Sequence, residues 1–237
     1  MELKVIARIH TDFPEKFGIP RQSGLVDSLK AKIIFEPEYR NPEAVKGLSG
    51  FDYIWLLWEF EVPKKEGFAA TVRPPRLGGN ERMGVFATRS PFRPNPIGLS
   101  SVRLERIELT DTVGPVLYVA GADIRDNTPI FDIKPYLKYA DAHIDATEGF
   151  AQNPGFEELE VDFDDELLNK LPEDKRESAI KLLTLDPRPS YQVDPDRQYG
   201  MCYAGYNIRF RVSGNLLKVT GVEATAPSGE KDIKKDI

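Results

Sequence analysis

Cysteine is almost missing from this chain. Cys202 stands alone, which excludes an internal disulfide and fits a reducing compartment such as the cytoplasm. Histidine is nearly as scarce: only His10 and His143, far apart in sequence. A zinc site draws on several Cys or His ligands, so no metal is expected. No apolar run approaches the roughly 18 residues of a membrane span. The opening Met1-Glu2-Leu3-Lys4-Val5 has no long apolar stretch and no small-residue cleavage site; it reads as a first strand, not a signal peptide. Also missing is a glycine-rich strand-to-helix turn. Gly78-Gly79 lacks both the preceding strand and the following helix that a dinucleotide fingerprint needs, which excludes the usual Rossmann layout.

What is present is unevenly charged. The formal net charge is -6, yet from Arg73 to Arg106 there are seven arginines, no lysine and only two acids, Glu81 and Glu105. From Glu157 to Glu177 ten acids face Lys170, Lys175 and Arg176. A basic and an acidic face are therefore expected together. Arginine grips phosphate or carboxylate with a planar fork and stacks on bases, which lysine does poorly. Arg103 and Arg106 read as ordinary strand-surface charges.

The chain reads as many short strands separated by Gly/Pro loops, hence mainly β with a closed or nearly closed β-barrel. Strands are expected at Val5–Ile9, Ile33–Phe35, Val102–Leu109 and Val116–Ala122, with one helical turn at Pro42–Val45. Tyr53-Ile54-Trp55-Leu56-Leu57-Trp58-Glu59-Phe60-Glu61-Val62 is almost continuously apolar and reads as a strand buried on both faces. After about residue 148 the character shifts. An acidic stretch, a helix over Glu173–Leu185 with Pro172 at its start, and a hairpin of Gly200–Val212 with Leu216–Val222 predict a small α+β domain. The expected division is 1–147, 148–226 and a charged tail over 227–237.

The most informative stretch runs from Met83 to Ser100. Val85-Phe86-Ala87 reads as a strand that breaks into a loop holding Pro91, Pro94 and Pro96. Proline fixes φ and removes backbone donors, so Arg89, Arg93 and Asn95 are held in preset directions. A stiff polar loop at a strand end suits binding. A rigid surface connection with solvated arginines is the bland alternative.

This stretch resembles the signature of the TsaA-like (TrmO) family of tRNA methyltransferases. So do Thr71-Val72-Arg73-Pro74-Pro75-Arg76-Leu77-Gly78-Gly79-Asn80, Phe17-Gly18-Ile19-Pro20-Arg21-Gln22, Asp126-Asn127-Thr128-Pro129-Ile130-Phe131-Asp132-Ile133-Lys134-Pro135-Tyr136 and Asp186-Pro187-Arg188-Pro189-Ser190-Tyr191. The resemblance implies a TsaA-like β-barrel that uses S-adenosylmethionine to methylate N6 of threonylcarbamoyl-adenosine beside a tRNA anticodon, as a homodimer. It implies cofactor contacts from Pro20, Arg21, Gln22, Glu61, Val62, Arg89, Leu99, Asn127, Thr128, Pro129 and Ile130. The sulfonium already activates the methyl group, so much of the task is positioning. A urea-type N–H must still lose its proton. Asp126 and Asp132 are candidates, with an Asx-turn and a structural acceptor as their alternatives. Arg73, Arg76, Arg93, Asn95, Lys134, Arg188 and Tyr191 are candidate RNA contacts with the anticodon stem-loop. Where this family commonly has glycine, Asn127 stands; asparagine tolerates left-handed φ. Two other readings remain: a non-catalytic RNA-binding barrel, or a methyltransferase acting on another substrate.

Overall fold

The computed structural model describes residues 2–61, 68–74, 77, 81–152, 158–189 and 194–225. Six strands close a barrel. They are β1 (Ala7–His10), β2 (Lys30–Phe35), β3 (Tyr53–Glu59), β6 (Ile97–Thr110), β7 (Gly114–Ala120) and β8 (Thr128–Pro135). Around the barrel the order is β1-β2-β7-β6-β3-β8, closing on β1. Every neighbouring pair is antiparallel. Closure leaves no free strand edge to template aggregation. A two-stranded ribbon, β4 (Thr71–Val72) with β5 (Met83–Gly84), stands beside it.

Strand alternation fills the interior. Ala7, Ile9, Ile33, Ile54, Leu56, Val102, Leu117, Val119 and Ile130 all point inward and are fully buried. The expectation that β3 is buried on both faces is corrected: Ile54, Leu56 and Trp58 face in, while Tyr53, Trp55, Leu57 and Glu59 lie on the outer wall. Trp55 and Tyr53 escape full burial because an antiparallel wall shields only one side; the Trp55 indole N–H donates to Asp141, 3.0 Å away.

Two further expectations need correction. Val85–Ala87 is a 3₁₀ turn and not a strand. The ribbon ends at Gly84, and the Val85 N–H bonds out to the Ala70 carbonyl, 3.0 Å away. Gly200–Val212 is not one strand but two: β10 (Tyr199–Tyr203) and β11 (Tyr206–Ser213). Tyr203 pairs with Tyr206 across a two-residue loop, and Ala204 and Gly205 both have positive φ, 51° and 80°. That is the backbone a tight hairpin needs.

The second half of the chain adds α1 (Lys138–Asp141), β9 (Glu160–Asp162), α2 (Asp165–Leu168), α3 (Glu173–Thr184) and β12 (Leu216–Ala224). Strands β10-β11-β12-β9 form one sheet, and α3 contributes Ala179, Leu182 and Leu183 to its core. That core is not built from the second half alone. Phe13, Val26 and Leu29, from the β1–β2 connection, are buried in it. Phe13 meets the Tyr203 ring with centroids 5.5 Å apart. Lys175 pairs with Asp12 at 2.6 Å and Ser178 donates to Ser28 at 2.8 Å. The β1–β2 connection is therefore clamped between the two halves.

Candidate active site at one mouth of the barrel

At one rim of the barrel, β1, β3 and β7 end and β2, β6 and β8 begin. The pairings Glu59 with Ile97, Lys30 with Ala120 and Ile9 with Thr128 mark this rim. Three connections meet there: 11–29, 60–96 and 121–127. They carry Pro20, Arg21, Gln22, Glu61, Arg73, Arg89, Arg93, Asn95, Asp126 and Asn127, so residues far apart in sequence share one end of one barrel. Val62, Arg76 and Tyr191 lie outside the described residues.

An open cleft of about 1860 Å³ occupies the rim. Arg21, Gln22, Glu59, Phe60, Arg73, Arg89 and Arg93 line it, with Phe68, Phe86 and Phe92. Arg89 donates to the Gln22 side-chain oxygen. Arg21 donates to the Asp186 carbonyl at 3.5 Å, linking the cleft to the second half of the chain. Arg93 is spent differently. Its guanidinium donates to the carbonyls of Thr88 and Ser90, at 3.1 and 3.5 Å, so it braces the proline loop from within. Asn95 is exposed and its carbonyl accepts from the Ile97 N–H at 2.7 Å.

The two carboxylates differ in their surroundings. Asp126 Oδ1 accepts from the Thr11 N–H at 3.0 Å and lies 3.5 Å from His10 Nδ1. Its own N–H donates to the Phe13 carbonyl. It ties the β7–β8 connection to β1. Asp132 lies on the outer wall. A bulge beside Leu57 sets it opposite that residue, and Leu57 in turn faces Leu99. Asp132, Leu57 and Leu99 therefore form one row across three strands. Asp132 Oδ1 accepts from the Ile133 N–H at 2.9 Å, and Oδ2 lies 2.8 Å from Lys134 Nζ.

Asn127 has φ 61°, the left-handed turn that asparagine tolerates. Its carbonyl accepts from Arg8 at 3.2 Å. Thr128 is buried and donates to the Arg125 carbonyl at 2.8 Å; Pro129 and Ile130 pair with Arg8 and Ala7 of β1. Glu61 meets Arg125 at 2.6 Å and Lys16 at 3.9 Å. Arg188 forks onto both oxygens of Asp186, at 2.8 Å each, and this hydrogen-bonded pair raises its pKa further.

Sequence reasoning missed one group. The Trp58 indole N–H donates to Ser100 Oγ at 3.0 Å, and Ser100 Oγ donates to Asp123 Oδ1 at 2.6 Å. Burial pushes the Asp123 carboxyl up from its ordinary pKa; the Ser100 hydrogen bond, backbone donors and the Arg89 charge oppose that rise. Gly98 makes the arrangement possible, because a Cβ there would collide with the Trp58 ring. The only sequence signal was a serine and a glycine among inward positions of β6. Among the described residues no cluster of His, Cys, Asp and Glu has metal-binding geometry, and no helix is long and apolar enough to cross a membrane.

Comparison with known proteins matches both halves of the chain. The family model of the tRNA-methyltransferase O N-terminal domain matches residues 8–142, and that of the TrmO C-terminal domain matches residues 156–225. The chain is 39% identical over 231 residues to a tRNA (adenine(37)-N6)-methyltransferase of Escherichia coli (strain K12), covering 94% of this chain and 97% of that protein. It is 39% identical over 204 residues to a putative S-adenosylmethionine-dependent methyltransferase, RcsF, of Pseudomonas aeruginosa, covering 83% of this chain and 86% of that protein. The crystal structure of TrmO from Pseudomonas aeruginosa superposes with a TM-score of 0.75 at 31% identity, covering 94% of this chain and 99% of that one. With both of its domain models matched in order and along nearly its whole length, this chain belongs to the TrmO family of tRNA methyltransferases.

Proposed function

We propose that this protein is a cytoplasmic enzyme that transfers the methyl group of S-adenosylmethionine to N6 of threonylcarbamoyl-adenosine next to the anticodon of a tRNA. The observation that carries this reading is the arginine-lined cleft that the 11–29 and 60–96 connections build at one rim of the barrel. The tRNA adenine-N6 activity of the Escherichia coli relative and the cofactor in the name of the Pseudomonas relative support it.

The residues fit the cofactor's chemistry. When bound, it supplies a methyl group already activated by a sulfonium. Arg89 and Arg21 at the cleft offer guanidinium forks for a carboxylate, and Gln22 orients Arg89. Exposed Leu99 supplies apolar wall, whereas the Ile130 side chain is buried inside the barrel and offers none; the Asn127 carbonyl keeps a second lone pair for a heterocycle. Asp132 is the proposed acceptor of the N6 proton, since it shares the outer row with Leu99, whereas Asp126 is engaged with β1. Arg73, Lys134 and Asn95 are exposed and remain the proposed RNA contacts, with Arg76 and Tyr191. The outer wall displays Tyr53 and Leu99 beside Trp55 and Leu57. Such apolar surface is proposed to be covered in a homodimer.

The test is mass spectrometry of anticodon-loop nucleosides after incubation with the cofactor and threonylcarbamoylated tRNA. A gain of one methyl on that nucleoside is expected. Methylation of unmodified adenosine, or none, overturns the substrate assignment. Calorimetry showing no cofactor binding at millimolar concentration overturns the enzyme reading itself.

A further inference from the structure

The cleft exposes three phenylalanines that the cofactor contacts above do not use. Phe86 is 73% exposed, Phe68 53% and Phe92 49%. Large apolar side chains clustered in the open call for a partner, because water penalises them there. The display is built into the backbone. Phe86 sits in the 3₁₀ turn between Val85, which is buried, and Ala87. The Val85 N–H is held by Ala70, and its carbonyl accepts both the Thr88 N–H and the Thr88 hydroxyl, at 3.1 and 2.9 Å. A turn pinned at both ends cannot fold Phe86 inward. The Phe68 and Phe86 rings lie with centroids 6.4 Å apart and planes 29° from parallel.

Resting on the tRNA reading, we propose that Phe86, with Phe68 and Phe92, is a stacking platform for unpaired bases of the RNA loop. Arg73 and Arg82 hold the flanking phosphates along the same cleft. Charge selects this occupant. Five arginines line the cleft against Glu59 and Glu148. A second copy of the chain would set this positive lining against like charge across a self-complementary interface, whereas single-stranded nucleic acid is held by aromatic faces in a positively charged groove. A phenyl face accepts any base, so the platform supplies grip without sequence choice. Paired RNA offers no free base faces. The platform therefore selects a loop over a helix.

The experiment titrates the full-length protein with an anticodon stem-loop RNA carrying 2-aminopurine in its loop, whose fluorescence is quenched by stacking. For the wild-type protein, binding with a change in loop fluorescence is expected. Phe86→Leu keeps apolar bulk and loses the ring face. It should weaken binding on the order of tenfold and abolish that change, with melting temperature and cofactor affinity unaltered. Phe86→Trp should restore both. Phe86→Leu binding the stem-loop like wild type overturns the platform while the tRNA reading stands. Phe86→Leu shifting the sedimentation coefficient from dimer to monomer shows instead that a second copy of the chain covers the rings, which also overturns it. Wild-type protein that binds no stem-loop RNA overturns the tRNA reading first and the platform with it.

Discussion

Trp58 and Phe86 flank the same rim of the barrel under opposite conditions. Trp58 is 8% exposed, its indole N–H is bonded to Ser100, and its ring lies where Gly98 leaves room. Phe86 is 73% exposed and packs only on Phe68 among the ring contacts of the described residues. Burial makes an aromatic side chain part of the fold's stability. Exposure on a pinned turn leaves it free for recognition. The wall and the cleft thus divide stability and binding between side chains of one chemical kind.

The sharpest break of that comparison is by truncation. Trp58→Ala should cost about 3–5 kcal/mol, because it removes the ring and leaves a cavity beside Gly98. Phe86→Ala should fall within about 0.5 kcal/mol of wild type, as exposed positions do. Urea denaturation of both variants measures this, and equal losses would erase the distinction.

The same division separates two arginines of the proline loop. Arg93 is half-buried and holds two loop carbonyls, so Arg93→Ala should lose about 1 kcal/mol and weaken cofactor and RNA binding together. Arg89 is exposed and engages Gln22. Arg89→Ala should leave stability nearly unchanged and weaken cofactor binding alone. Melting curves with two binding titrations per variant check it; parallel losses in both variants would mean that Arg89 also only braces the loop.

The smallest effect belongs to Asp123. Its carboxyl is raised in the folded protein, so the unfolded chain ionises first as pH climbs. Stability is fully present below the ordinary carboxylate pKa and is lost as pH rises through the folded value. Asp123→Asn keeps an acceptor for Ser100 and removes the titration. The variant should therefore gain on wild type between acid and neutral pH, with the smallest difference in acid. Melting curves across that range decide it. A constant deficit at every pH would mean that the carboxylate is needed for packing alone.

Much of the wall was legible from sequence because alternation writes itself into a strand. Ile33–Phe35 and Val102–Leu109 fall within observed strands, and Val116–Ala122 overruns β7 by two residues. The turn at Pro42–Val45 carries its own cap, Asn41, whose side chain accepts from Glu43, and Pro172 precedes α3. Other features depend on contacts that no local pattern records. Val85-Phe86-Ala87 has strand composition, yet Ala70 takes the backbone bond that would extend the ribbon. Ala204-Gly205 makes a tight hairpin without the asparagine that usually marks one. Strand β8 was hidden inside a motif read for chemistry. Ser100 and Trp58 are 42 positions apart, and only the barrel's register brings them to Asp123.

The clamping of the β1–β2 connection also bears on synthesis at the ribosome. Phe13, Val26 and Leu29 are translated early, but their cover includes Met201, Tyr203 and Val222. At about 5–20 residues per second, those three side chains wait roughly 10–40 s for the last hairpin to emerge. Arg21 and Gln22 lie between them on the same connection. The cleft is therefore expected to take shape only once that hairpin has been made, which leaves the growing chain dependent on whatever shields nascent apolar segments.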